Sequence, residues 1–169
     1  KLNNLKQAAK TMNFLTEHGI SSYGELEGKL STVSARRDTV HAEIKRIESR
    51  SAELVLVMKH ATTYRQLKPI YDRYRKSGDK EKFLRGHESE IILFEAAARE
   101  LKRLGAVPLP ITESMKTELA KLNAEKERLL TEYKTARTEA QKYDTVKQNV
   151  DALLAVPKEQ EQQRRHELE

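Results

Sequence analysis

Residues 26–61 read LEGKLSTVSARRDTVHAEIKRIESRSAELVLVMKHA. Steps of four and three from Leu26 land on Leu30, Val33, Arg37, Val40, Ile44, Ile47, Ser51, Leu54, Met58 and Ala61. Only Arg37 and Ser51 interrupt an otherwise apolar series. A 3.5-residue apolar repeat kept up for about five heptads is the signature of a coiled-coil seam. The residues between, Arg36, Asp38, Glu43, Lys45, Arg46, Glu48 and Arg50, suit a solvated face. A second run starts at Met115. It continues through Leu119, Leu122, Lys126, Leu129, Tyr133, Ala136, Ala140, Tyr143, Lys147, Val150 and Leu154. The matched lengths favour pairing the runs as an antiparallel hairpin over a parallel homodimer through either one. The register expected for the hairpin, give or take a heptad, sets Leu26 against Leu154, Ile44 against Ala136 and Ile47 against Tyr133. It also stacks Arg37 on Tyr143.

Local signals bound these arms. An N-terminal helix over 1–18 is expected from Leu2, Leu5, Ala9, Met12 and Leu15, with His18-Gly19 as its stop. Ser22 and Glu25 form a capping box for the first arm, 21–62. Pro69 is expected to break that helix, since proline lacks an N–H donor and crowds the turn before it. A basic head over 63–106 follows. It is read as a short helix at 70–76, a Ser77-Gly78 turn and a stretch from Lys80 to Arg85 capped by Asp79. Gly86 interrupts, and a helix at 87–104 ends on Gly105. The segment Ile91 to Ala98 is apolar nearly all round, which predicts burial on more than one side. The second arm, 111–156, is expected to be capped by Thr112 and ended by Pro157, leaving a polar tail at 157–169.

Composition agrees with an all-α reading. The 169 residues include 34% charged and 37% hydrophobic side chains, but only six Gly and four Pro, too few for the turns of an all-β chain. No Cys is present, so disulfides and thiolate metal sites are excluded. No apolar run approaches the ~20 residues of a membrane span, so no membrane partner is expected. The chain does not begin with Met, so an excised fragment is expected. The five His share no HxH or HExxH spacing, and no phosphate-binding glycine motif occurs. No catalytic, cofactor-binding or metal-ligating residue is therefore assigned.

The net charge of +6 is uneven. Residues 62–87 hold eight Lys or Arg against three Asp or Glu. These cations, Arg65, Lys68, Arg73, Arg75, Lys76, Lys80, Lys82 and Arg85, are the candidate DNA contacts, since phosphate binding is driven by counterion release. Tyr64, Tyr71 and Tyr74 interleave with them. Such rings can stack on exposed bases, or they can pack the head. The competing reading of the cations is a solvated face, or pairing of Arg73 and Arg75 with Glu88 or Glu90.

The stretch from Tyr64 to Tyr74, then Lys76 to Phe83, then Arg85 to Phe94 contains the block YDRYRKSGD…FLRGHESEI. It resembles the C-terminal region of relaxases from plasmids and conjugative elements of Gram-positive bacteria (Firmicutes), the mobilisation-protein family. Leu2 to Lys6 and the closing helix fit the same region. The resemblance implies a cytoplasmic bacterial parent that nicks one DNA strand at a transfer origin. It places the catalytic Tyr and a divalent metal on a His cluster in an N-terminal nuclease domain outside this chain. No catalytic role passes to Tyr64, Tyr71 or Tyr74. What is implied here is a non-enzymatic module that contacts DNA, a coupling protein or other relaxosome proteins. The alternative is a purely structural coiled coil for dimerisation or protein interaction. Leu168-Glu169 is compatible with a cloning remnant.

Overall fold

A computed structural model describes the backbone of residues 2–166 and the side chains of residues 5–155. The described residues are all-helical: α1 (Leu2–Glu17), α2 (Tyr23–Lys76), α3 (Lys80–Arg103) and α4 (Thr112–His166). They fall into two compact units, Lys1–Glu43 with Leu129–Glu169, and Ile44–Arg128. No described helix is long and apolar enough to cross a membrane.

In the first unit, Ile20, Leu26, Tyr143 and Val146 form a buried cluster, with Phe14, Leu15, Leu30, Val33 and Val150 packed on it. Leu26 is thus buried by α4 residues upstream of its expected partner, and Leu154 is exposed. The expected Leu26–Leu154 pair does not form. Tyr143 meets the rings of Phe14 and His18 edge-on, while Arg37 turns to its neighbour Asp38. The expected Arg37–Tyr143 stack is therefore absent: Tyr143 packs in the cluster with Leu26, about three helical turns along α2 from Arg37. Tyr133 stacks on His41, at 5.4 Å between ring centres, and Arg36 reaches Glu132 at 3.3 Å. Tyr23 donates to Asp151 at 2.6 Å. Lys147 sits between Asp151, at 3.0 Å, and Glu27, at 3.9 Å. Its ammonium is held well above the usual lysine range, first by the Tyr23 hydroxyl and then by Asp151.

The helix forms as expected, but only part of its apolar series faces inward. Thr11 is buried at 2% exposure and accepts from Asn149, whereas Leu5 and Met12 are 71% and 59% exposed. Leu15, a member of the series, supplies the apolar contact together with Phe14. They draw the helix round so that the Leu5–Met12 stripe faces solvent. The helix stop is as expected: Gly19 adopts φ 63°, and the amides of Gly19 and Ile20 donate back to Thr16 and Leu15. That pairing is a Schellman motif, and Ile20 and Leu15 share the same core. The capping box also forms. Glu25 N–H donates to Ser22 Oγ at 3.2 Å, and the Glu25 carboxylate accepts from the Ser21 and Ser22 amides. The Ser21 amide is the main cause of a Glu25 pKa below the ordinary value.

The second unit buries Leu54, Val57, Ala61, Leu101, Ala106 and Met115. Arg50 donates to Glu118 at 2.8 Å, and Lys126, a polar seam position, reaches Glu48 at 3.0 Å. Every position of the first seam from Leu26 to Ala61 is buried or half-buried. Gly105 has φ 67°, and the amides of Gly105 and Ala106 close α3 onto Lys102 and Leu101.

Four expected helix boundaries differ. α2 runs through Pro69 to Lys76. The rings on either side of Pro69, Tyr64 and Tyr71, both dock on Phe94, and this packing outweighs one missing backbone hydrogen bond. α4 continues beyond Pro157 to His166, over residues rich in Glu, Gln and Arg that favour helix. The tail side chains beyond residue 155, and Leu168-Glu169, lie outside the described residues. α4 also starts on Thr112 itself, whose hydroxyl accepts from Arg65. The break expected at Gly86 is a kink one residue later, with His87 at φ −141°, ψ 24° inside α3. Finally, the segment Ile91 to Ala98 is amphipathic. Ile91, Phe94 and Ala97 are buried, but Ile92 and Leu93 face solvent, because α3 has a packed partner on one side only.

Candidate nucleic-acid interface

The basic segment occupies the end of α2, the turn 77–79 and the start of α3, all in one unit. Arg73, Arg75 and Lys76 form the last turn of α2. Cations are favoured there by the partial negative charge of a helix C-terminus. Lys80 and Lys82 stand in the opposite situation, in the first turn of α3, where that partial charge is positive. Asp79 answers it by accepting the Lys82 backbone N–H at 3.0 Å, capping the helix as expected. The lysine side chains gain nothing there from the dipole.

Two of the eight candidate cations do structural work. Arg65 donates to the Pro110 carbonyl at 2.8 Å and to the Thr112 hydroxyl at 2.6 Å, fastening α2 to the start of α4. Lys68 pairs with Asp72 at 2.7 Å, a hydrogen bond that raises its pKa. The other six, Arg73, Arg75, Lys76, Lys80, Lys82 and Arg85, are exposed, and their side chains make no ion pair among the described residues. The pairing of Arg73 or Arg75 with Glu88 or Glu90 does not occur. Glu90 is held by His87 at 3.4 Å. Its pKa is lowered chiefly by its own backbone amide and then by His87.

The tyrosines are spoken for. Phe94 is sandwiched between Tyr64, at 4.6 Å, and Tyr71, at 4.2 Å. Tyr71 meets Tyr74 at 6.0 Å, Tyr74 meets Phe83 at 6.1 Å, and Phe83 meets His87 at 4.7 Å. Six rings thus join α2 to α3 in one continuous chain. Sequence reasoning missed Phe83 and His87 as members. Their signal was the i,i+4 spacing, matched on α2 by Tyr64 and Tyr71 at i,i+7. A shallow pocket of about 340 Å³ opens at the turn, lined by Ser77, Asp79, Lys82, Phe83, Gly86 and His87.

Among the described residues, no three His, Asp or Glu side chains converge as metal ligands. What the arrangement offers chemically is unneutralised positive charge on a rigid, ring-stapled helix pair. The chain matches no known protein-family model, no curated protein and no solved structure.

Proposed function

We propose that this chain is a non-catalytic C-terminal helical module of a conjugative relaxase, of the mobilisation-protein family, acting in the bacterial cytoplasm. Its task is to hold DNA phosphates while the nuclease domain of the parent works at the transfer origin. The relaxase assignment rests on the YDRYRKSGD…FLRGHESEI block. The binding role rests on one observation: six exposed cations around the α2–α3 turn have no acidic partner. Replacing Arg73, Arg75 and Lys76 together with Gln should weaken DNA binding alike across sequences. Each phosphate no longer neutralised should reduce the salt slope by about 0.9, so the triple change should reduce it by roughly 2 to 3. Because these side chains are exposed and unpaired, stability should fall only by their interaction with the helix C-terminus, about 0.3–1 kcal/mol each. A lower melting temperature with unchanged DNA affinity would reject the binding role.

The arms carrying this head are proposed to pair as an antiparallel coiled-coil hairpin. In each unit the α2 and α4 partners run in opposite numerical order, Tyr23 with Asp151 and Arg36 with Glu132 in one, Glu48 with Lys126 and Arg50 with Glu118 in the other. Spin labels in place of Arg36 and Glu132, or of Arg50 and Glu118, should report short distances that persist when labelled chain is diluted with unlabelled chain. Distances that vanish on dilution would mean a dimer instead.

A second reading, a protein-interaction module for a coupling protein, another relaxosome protein or a second copy, is favoured by the exposed Leu5 and Met12 stripe on α1. A complex abolished by Leu5→Gln with Met12→Gln, and indifferent to the Arg73, Arg75 and Lys76 changes, would support it.

A further inference from the structure

We infer that the ligand of the α2–α3 turn is the phosphate backbone of a nucleic-acid duplex, gripped from both sides of one groove, and not the bases of a single strand. This inference rests on the DNA-binding reading above and narrows it to a substrate class.

Single-strand binders pair a basic track with free aromatic faces on which bases stack. Here the rings nearest the cations are engaged with one another. Tyr71 lies against Phe94 and Tyr74, and Phe83 lies between Tyr74 and His87. Tyr71, Tyr74 and Phe83 are half-buried, so a base stacking on them would compete with these ring contacts. The helix start offers no substitute. Asp79 occupies the Lys82 amide, and its carboxylate stands in the turn where a terminal phosphate would have to sit. Only side-chain charge is left, and its contacts to phosphate carry no base information.

The charge is also distributed in two groups. Arg73, Arg75 and Lys76 end one helix, and Lys80, Lys82 and Arg85 begin the next. The ring chain holds those helices packed, which for helix pairs means axes about 8–10 Å apart. Flexible Lys and Arg stems add several ångströms on each side, so the two groups can straddle a minor groove about 6 Å wide. Each group is short. Lys80 to Arg85 covers about 7.5 Å at ~1.5 Å per residue. Over such a length a duplex presents a charge every ~1.7 Å, against ~3.4 Å for one strand, so a compact patch meets about twice as many phosphates on a duplex.

The test is fluorescence anisotropy of the full chain with a labelled duplex of about 20 base pairs, and with each of its strands, at about 50 mM salt. The duplex should bind at least about tenfold tighter than either strand, and an unrelated duplex should bind within about twofold of the first. Lys80→Gln with Lys82→Gln and Arg85→Gln should cost as much duplex affinity as the Arg73, Arg75 and Lys76 changes, since each group serves one strand. Leu93→Ala, exposed and outside the ring chain, should leave duplex affinity in place. Equal or tighter binding of single strands would overturn the duplex assignment while leaving the DNA reading intact. Binding of neither form at low salt would remove both.

Discussion

Replacing Phe94 with Ala should cost about 3–5 kcal/mol of stability, the range for truncating a buried Phe. For a chain of this size each kcal/mol corresponds to ~2–4 °C, so the melting temperature should fall by about 10 °C. Phe94 is 6% exposed and is the ring on which both Tyr64 and Tyr71 lie. Its removal leaves a cavity and two unsupported tyrosines, so α2 and α3 come loose from each other beside the basic turn. The neighbouring position supplies the control. Leu93 is 54% exposed, and Leu93→Ala should stay within about 0.5 kcal/mol. Equal effects at the two positions, read by thermal circular dichroism, would contradict the inward-facing Phe94 and outward-facing Leu93.

The same pair of residues marks how far the sequence can be read. Burial of a helix face is legible when apolar residues recur at three and four and polar ones fill the gaps. The first heptad run has that contrast, and all its seam positions from Leu26 to Ala61 are buried or half-buried. Most caps are equally legible, because Ser22, Asp79, Gly19 and Gly105 act through their own backbone neighbours, whereas Thr112 is engaged by the distant Arg65. From Ile91 to Ala98 the contrast vanishes, and nothing local says which face meets α2. On α1 the pattern misleads in part. Leu5, Ala9 and Met12 have helical spacing, but Phe14 and Tyr143 fix the inner face through a ring contact made across the fold. The register is legible only to within a heptad. Periodicity repeats every heptad and gives no absolute offset, so Tyr133, expected near Ile47, stacks on His41 instead, less than one heptad away. The candidate DNA cations are visible as a group. Their division into the structural Arg65 and Lys68 and the six unpaired ones depends on Pro110, Thr112 and Asp72, partners that composition does not reveal.

Pro69→Ala should stabilise the protein by about 1–3 kcal/mol, an unusual sign for a point substitution. Proline inside a helix forfeits one backbone hydrogen bond and strains the turn before it, at a cost of ~3 kcal/mol. Pro69 is exposed and makes no apolar contact in the buried clusters, so Ala removes no packing. It would return an N–H to the Arg65 carbonyl one turn earlier. Arg65 keeps its own task, since its side chain is fixed on Pro110 and Thr112. The opposing consideration is geometric. Pro69 lies between Tyr64 and Tyr71, and a bend at this point could be what lets both rings reach Phe94. Tyr64 and Tyr71 are seven residues apart, however, which already puts them on one face of an unbent helix, two turns from each other. The bend is therefore not needed for the sandwich, and the restored hydrogen bond should decide the sign. Thermal unfolding of Pro69→Ala beside the parent chain checks it. A drop in melting temperature, with Phe94→Ala no longer adding to the loss, would show instead that the proline bend holds the rings together.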